Sequence, residues 1–211
     1  MTRQLLGTYD LFDRHAKRAV DCELYEGIAA NNVADFTHTW KPVFDKKRSE
    51  LAAAGKITDE LFRDFSLQDA HWEWPAKAAA VEASNDNLRS FAVECLGVTQ
   101  GLMIAMPFGF AREPSQLDLP LTQVLLLSTA PWNRSKLIAS PKYQGVGRLL
   151  LTAAISLSLE EEQAGRIGLH ALSGAETWYR GSCGMTDLGF DADKQMTYFE
   201  MTQAQAQRFI S

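Results

Sequence analysis

The sequence predicts an α/β (α+β) chain, a mixed sheet with helices packed on its faces. Three observations predict it. From Ser90 to Met201, short apolar runs of strand character alternate with segments at helical spacing. Gly145 and Gly147, separated by one residue, stand directly ahead of an amphipathic helical pattern. The 211 residues are 46% hydrophobic and 22% charged, a globular balance that excludes wholesale disorder.

The elements follow in order. Leu11, Phe12, Ala16, Ala19, Val20, Leu24 and Ile28 recur at spacings near three and four, which predicts a helix over residues 11–30 ended by Asn31-Asn32. Pro42 opens a second helix that runs through Leu51 to Ala54 and is closed by Gly55. Thr58 is an N-cap for Asp59 to Phe65. Ser90 to Leu96 alternates, with Phe91, Val93 and Cys95 on one face and Ala92, Glu94 and Leu96 on the other, and it pairs with Leu102 to Met106 as a hairpin. Pro107 to Pro120 reads as a loop, and Val124 to Thr129 as a buried strand bounded by Pro131. Leu149 to Glu162 is the long helix, closed by Gly165. Arg166 to Ala171 is a strand, Ala175 to Ser182 a short helix and Met196 to Met201 the final strand. Thr202 and Gln205 form a capping-box pattern for a C-terminal helix.

Composition narrows function. The net charge is −5, with a pI near 5.4, so a duplex-binding face is not expected as the main function. No apolar run reaches the roughly 18 residues that span a bilayer, and Met1 to Gly7 carries no leader pattern. Cys22, Cys95 and Cys183 are odd in number and widely spaced. That argues for reduced thiols in a cytoplasmic protein and against a disulfide frame or zinc site; no His-Glu-x-x-His occurs either, so no metal is expected.

Two stretches carry candidate chemistry. Asp69 to Pro75 sets His71, Trp72 and Trp74 beside two acids; the indoles either wall an amine substrate or anchor a core. Pro141 to Leu150 contains the glycine turn. Its glycines let successive amides point inward as an anion nest, the helix start adds unpaired N–H groups, and Lys142 and Arg148 flank it. No Gly-Lys-Ser/Thr follows, and Leu150 stands where a dinucleotide fingerprint needs its third glycine.

With these residues in place, the chain resembles the GNAT N-acyltransferase superfamily over about residues 90–211. The family's Arg/Gln-x-x-Gly-x-Gly/Ala turn has its counterpart in Lys142-Tyr143-Gln144-Gly145-Val146-Gly147, with lysine first. Leu127 to Pro131 meets the preceding hydrophobic-x-x-x-Pro pattern, Ala175 to Tyr179 the Ala-x-x-x-Tyr helix, Cys183-Gly184-Met185 the pair after it, and Met196 to Met201 the closing strand. Two departures stand out. Trp132 to Ser140 looks like an insertion, which leaves both Arg134 and Lys142 as candidates for the basic position. Leu172 or Ser173 stands near where an asparagine is often found.

The resemblance implies a mixed, mostly antiparallel central sheet with helices on both faces and an enlarged helical N-terminal region. It implies one domain over 1–211, with 1–88 helical on the substrate side and 89–211 as the acyl-CoA-binding core. It further implies an acyl-CoA-dependent, most simply acetyl-CoA-dependent, N-acetyltransferase without a metal. Gln144, Gly145, Val146, Gly147 and Arg148, with Lys142, would hold the pyrophosphate. Leu127, Ser128 and Thr129 would pair with pantetheine, and Tyr179 would protonate the departing thiolate. Direct transfer leaves Cys183 no covalent role. Glu94, Glu73, His71 and His170 are candidate bases, and His71, Trp72, Trp74 and Glu94 candidate substrate contacts. The partner is a small-molecule or protein amine, not nucleic acid or membrane, and a homodimer stays open. Two other readings remain: an acyl-CoA-binding or sensing module without catalysis, and a nucleotide-binding protein that uses the same turn for ATP.

Overall fold

The computed structural model describes residues 3–55, 58–84 and 87–211. Strands β1 (Gln4–Asp13) and β2 (Arg18–Glu26) open the chain as an antiparallel hairpin. Next come α1 (Ala30–Asp35), a π-helical stretch Phe36–Trp40 and α2 (Lys41–Ala53), then α3 (Asp59–Asp64) and α4 (Trp74–Ala83). A second hairpin, β3 (Arg89–Cys95) and β4 (Val98–Met106), leads to β5 (Thr122–Thr129). The two-residue β6 (Tyr143–Gln144) runs directly into α5 (Val146–Glu160). Strand β7 (Ile167–Ala171), a π-helical turn Trp178–Ser182, β8 (Thr186–Asp191), β9 (Met196–Met201) and α6 (Gln203–Ile210) complete it.

Among the described residues, nine strands join one sheet in the order β6-β1-β2-β3-β4-β5-β7-β9-β8, antiparallel except where β5 meets β7. Two cores cover its two faces. Phe91, Val93, Cys95, Met103 and Ala105 pack under α5 and α6, while Ala92, Leu102 and Ile104 pack against Phe36, Trp40, Phe44 and Trp74 from the helices between β2 and β3. This is the architecture the resemblance implies. The alternation of Phe91, Val93 and Cys95 against Ala92 and Glu94 is the alternation of the two faces.

The helix expected over residues 11–30 is corrected to the β1–β2 hairpin. Cys22 and Leu24 are buried at period two, and β2 pairs along its length with β1 and from Cys22 to Glu26 with β3, which places Cys22 opposite Cys95. The helical character expected for residues 1–88 therefore begins at Ala30; the first strands belong to the sheet. Lys17, at φ +53°, makes the turn, and the Asp13 carboxylate accepts from the His15 and Ala16 amides. The Ala16 bond first, aided by the His15 bond and the Lys142 charge, holds the Asp13 carboxyl below its usual range against the opposing effect of burial. The short helix expected at Ala175–Ser182 is mainly a π-turn, and β8 adds an edge strand the sequence pattern did not suggest. Among the described residues no helix is long and apolar enough to cross a membrane.

Candidate active site

The glycine turn ends β6 and caps α5. Gly145 takes φ +108°, a conformation an L side chain rarely adopts, and its carbonyl accepts the Leu149 amide at 2.9 Å. The amides of Val146, Gly147 and Arg148 lie ahead of that first helical bond, so they face outward at the positive end of a fifteen-residue helix. Gly147 gives the Trp178 ring room: a Cβ there would lie 3.1 Å from it. The hairpin braces the turn from the other side. Phe12 and Asp13 of β1 pair with Gln144 and Tyr143, the Arg14 amide donates to the Lys142 carbonyl at 2.8 Å, and the Arg14 guanidinium reaches Gln144 Oε1 at 3.1 Å.

Beside the turn the sheet divides. Strands β5 and β7 pair only at Thr122–Ile167, Gln123–Gly168 and Val124–Leu169. Beyond Val124, Leu125 is bulged out of register with β4, so Ala105 faces Val124 while Ile104 faces Leu126. The bulge sends Leu127 to the α5 face and Leu126 to the other, and from here β5 keeps only β4 as a neighbour. A cavity of about 630 Å³ occupies the division. It is lined by Leu127, Ser128 and Thr129 of β5, by Gln144 to Arg148, and by Trp178, Tyr179 and Cys183, with Arg14 and Phe209 at its rim.

At the far side of the division lie Ser66, Gln68, Asp69 and Arg134, which also line the cavity. Asp69 and Arg134 are nearly fully buried and paired twice, at 2.6 and 2.7 Å; the Ser128 hydroxyl donates to Asp69 at 2.6 Å. Among the described residues, Asp69 is the only carboxylate that lines the cavity.

Tyr179 is buried between Trp178, at 4.9 Å between ring centroids, and Phe199, at 5.9 Å. Burial first, with the neighbouring Cys183 and Asp69 adding to it, pushes its phenol well above the ordinary range. Burial likewise pushes the Cys183 thiol up to about 12, against the attraction of Arg148. Arg148 turns its guanidinium over the Phe209 ring at 4.1 Å and donates to the Phe209 carbonyl, so its amide, not its charge, heads the helix.

The structure thus brings Leu127, Ser128, Thr129, Gln144, Gly145, Val146, Gly147, Arg148 and Tyr179 around one cavity. Others go elsewhere. Lys142 is absent from the lining, its ammonium lying 4.8 Å from the Tyr143 ring centroid. Trp74 is fully buried at the first turn of α4 and Trp72 packs edge-on against it, so the indoles act as core anchors. His71 is exposed and Glu73 pairs with Lys41 at 3.3 Å, both away from the cavity. Glu94, buried on the helical face, is held by Arg3 at 2.5 Å, Asn31 at 2.8 Å and Asn32 at 2.5 Å. His170 bonds Asp191 at 2.9 Å and stacks near Tyr198; the Arg112 and then the His170 bonds hold that aspartate below its usual range. Arg14 and Asp69 were missed as cavity residues. The Asp13 turn signal marks the first, but only the hairpin carries it to Gln144. Among the described residues no cluster of His, Cys, Asp and Glu could hold a metal ion.

No family model matches the chain, and no curated protein does. Among solved structures it is similar to an uncharacterised protein from Bacillus halodurans at 12% identity, over 97% of this chain and 94% of that one, with a TM-score of 0.53. It is also similar to Mycobacterium smegmatis RimJ in complex with CoA-disulfide at 13% identity (96% and 92% covered, TM-score 0.49). PaiA N-acetyltransferase from Thermoplasma acidophilum in complex with coenzyme A follows at 11% identity (86% and 98% covered, TM-score 0.49). The chain shares the fold of the Bacillus halodurans protein, over nearly its whole length.

Proposed function

We propose that this chain is an acyl-CoA-dependent N-acyltransferase that moves an acetyl group from acetyl-CoA to a primary amine by direct attack. One observation carries the reading: a single cavity runs from the amides at the start of α5, along the unpaired edge of β5, to Tyr179. Amides at a helix start suit a pyrophosphate, and Arg14 supplies the cation nearest Gln144. The open edge at Leu127–Ser128 offers main-chain groups to the amides of pantetheine, as an added strand would use them. The Thr129 carbonyl is already taken by Arg134.

In this reading the amine nitrogen attacks the thioester carbonyl carbon, and the oxygen gains charge beside the β5 main chain, where a single donor contributes about 3 kcal/mol in comparable sites. Collapse breaks the carbon–sulfur bond and expels thiolate, which takes the Tyr179 proton; the amine proton leaves to water. Burial keeps that phenol protonated across the neutral range.

A second reading, an acyl-CoA-binding module without catalysis, is favoured by the state of Asp69, since among the described residues the one lining carboxylate is paired with Arg134 and no free carboxylate base lines the cavity. Coenzyme A release from acetyl-CoA over a panel of small amines and lysine peptides separates the two. Amine-dependent release supports transfer; binding without release supports the module. Thermal stabilisation by ATP but not acetyl-CoA would remove both.

A further inference from the structure

We propose that the segment Ser66–Asp69 is a strut that sets the width of the division between β5 and β7, with Arg134 and Gln68 as its two fastenings and Arg134 as a positioning residue. The proposal rests on the coenzyme reading of the cavity. An arginine has five N–H donors in a rigid fork. In Arg134 all three nitrogens are engaged within the protein. Nε donates to the Thr129 carbonyl at 2.9 Å. Nη1 donates to the Ser66 carbonyl at 2.7 Å and to Asp69 at 2.6 Å. Nη2 faces Asp69 at 2.7 Å, Ser128 Oγ at 2.9 Å and the Thr129 carbonyl at 2.6 Å. No donor is left for a phosphate, so Arg134 does not fill the basic position of the coenzyme turn. It locks the end of β5 to the strut.

The other end of the strut holds the chain beyond β7. Gln68 Nε2 donates to the Ser173 hydroxyl at 3.0 Å, and the Gly174 amide donates to Gln68 Oε1 at 3.0 Å. A side chain at residue 174 would crowd this fastening, because a Cβ would lie 3.0 Å from both Gln68 Oε1 and the Arg63 carbonyl. The two strands that part at Val124 and Leu169 are thus tied to one four-residue segment, one from each side, beyond the point where their own hydrogen bonds end. The insertion Trp132–Ser140 has its use here: it delivers Arg134, and it is itself pinned by Trp132 and Asn133 to Gln100 of β4.

Three variants test the strut. Gln68→Leu removes the surface fastening and leaves the folded core alone. Arg134→Lys keeps the charge but loses the fork. Arg134→Met with Asp69→Leu replaces the buried pair by apolar side chains, which restores folding where a lone Arg134→Met strands a buried carboxylate. Coenzyme A affinity by calorimetry should fall 5-fold or more in all three. Melting temperatures of Gln68→Leu and the double variant should stay near wild type, and hydrogen exchange at the amides of residues 127–129 and 172–175 should quicken at least 10-fold. Wild-type affinity in Gln68→Leu and Arg134→Lys, or recovery of full affinity in the double variant, overturns the strut. Should wild-type protein bind no coenzyme A, the functional reading falls by itself; the exchange experiment still decides, and unchanged protection in Gln68→Leu and Arg134→Lys sinks the strut.

Discussion

Tyr179 combines burial with a place in the cavity wall, and the two properties act together. Removing water from around the phenol disfavours phenolate, so the residue is a reservoir of one proton at any pH where the protein is folded and neutral. Tyr179→Phe keeps the ring contacts with Trp178 and Phe199 and deletes only that proton. Turnover should fall 10²-fold or more with acetyl-CoA affinity within about twofold of wild type, measured by steady-state kinetics beside calorimetry. An unchanged kcat would free Tyr179 from the acid role. Gly145 is the other decisive single residue. At φ +108°, alanine carries a left-handed strain of about 1–2 kcal/mol, and its Cβ would lie 3.0 Å from Leu11 Cδ2. Urea denaturation of Gly145→Ala should show that loss, accompanied by weaker coenzyme binding.

At the scale of elements, the site depends on how closely α5 approaches β4. Gly101 makes that approach: a Cβ there would meet Val146 Cγ1 at 2.7 Å and Leu150 Cδ1 at 2.9 Å. Both contacts are to the first turns of α5, so Gly101→Ala pushes on the helix end that presents the free amides. Overpacking of this kind costs about 1–3 kcal/mol. The expected result is a lower urea midpoint at unchanged m-value together with weaker coenzyme A affinity; full affinity would mean that α5 moves as a rigid rod without disturbing its turn. The bulge at Leu125 is the second such device. It ends the pairing of β5 with β7 while keeping β5 on β4, which is how one strand serves both a core and a cavity.

For the whole molecule, the buried acids of weak type set the alkaline limit. Cys183 and Tyr198 are pushed up to about 12 by burial, and Tyr179 and Cys22 higher still. Below the ordinary values of 9.0 for thiols and 10.0 for phenols, these groups are neutral in both folded and unfolded chains and pH changes nothing. Above them the unfolded chain ionises while the folded chain does not. Stability is therefore complete at neutral pH and is lost as pH rises from about 9 toward 12. A melting temperature that stays flat over that interval would contradict the burial of these groups. Replacing Tyr179 by phenylalanine should shallow the decline.

By itself the sequence determined strands β3, β4, β5, β7 and β9, though not the edge strand β8, and with them the α5 turn and the part of the cavity wall that β5, the turn and Tyr179 make. In Phe91 to Cys95, in Gly145-Val146-Gly147 and in the Thr202–Gln205 cap, local preference and final environment agree. It misled at residues 11–30, where apolar spacing near three and four reads as a helix although the segment folds as a hairpin. Pairing with β3, more than sixty residues away, settled them, because a strand's stability lies in a neighbour that no local window contains. Nor could it assign Asp69 and Arg134. Their meaning is each other: a carboxylate and a guanidinium 65 positions apart become one buried unit only when the chain beyond β5 meets the turn before α4, and equally distant contacts hold Glu94 with Arg3 and Asn32 rather than at the cavity.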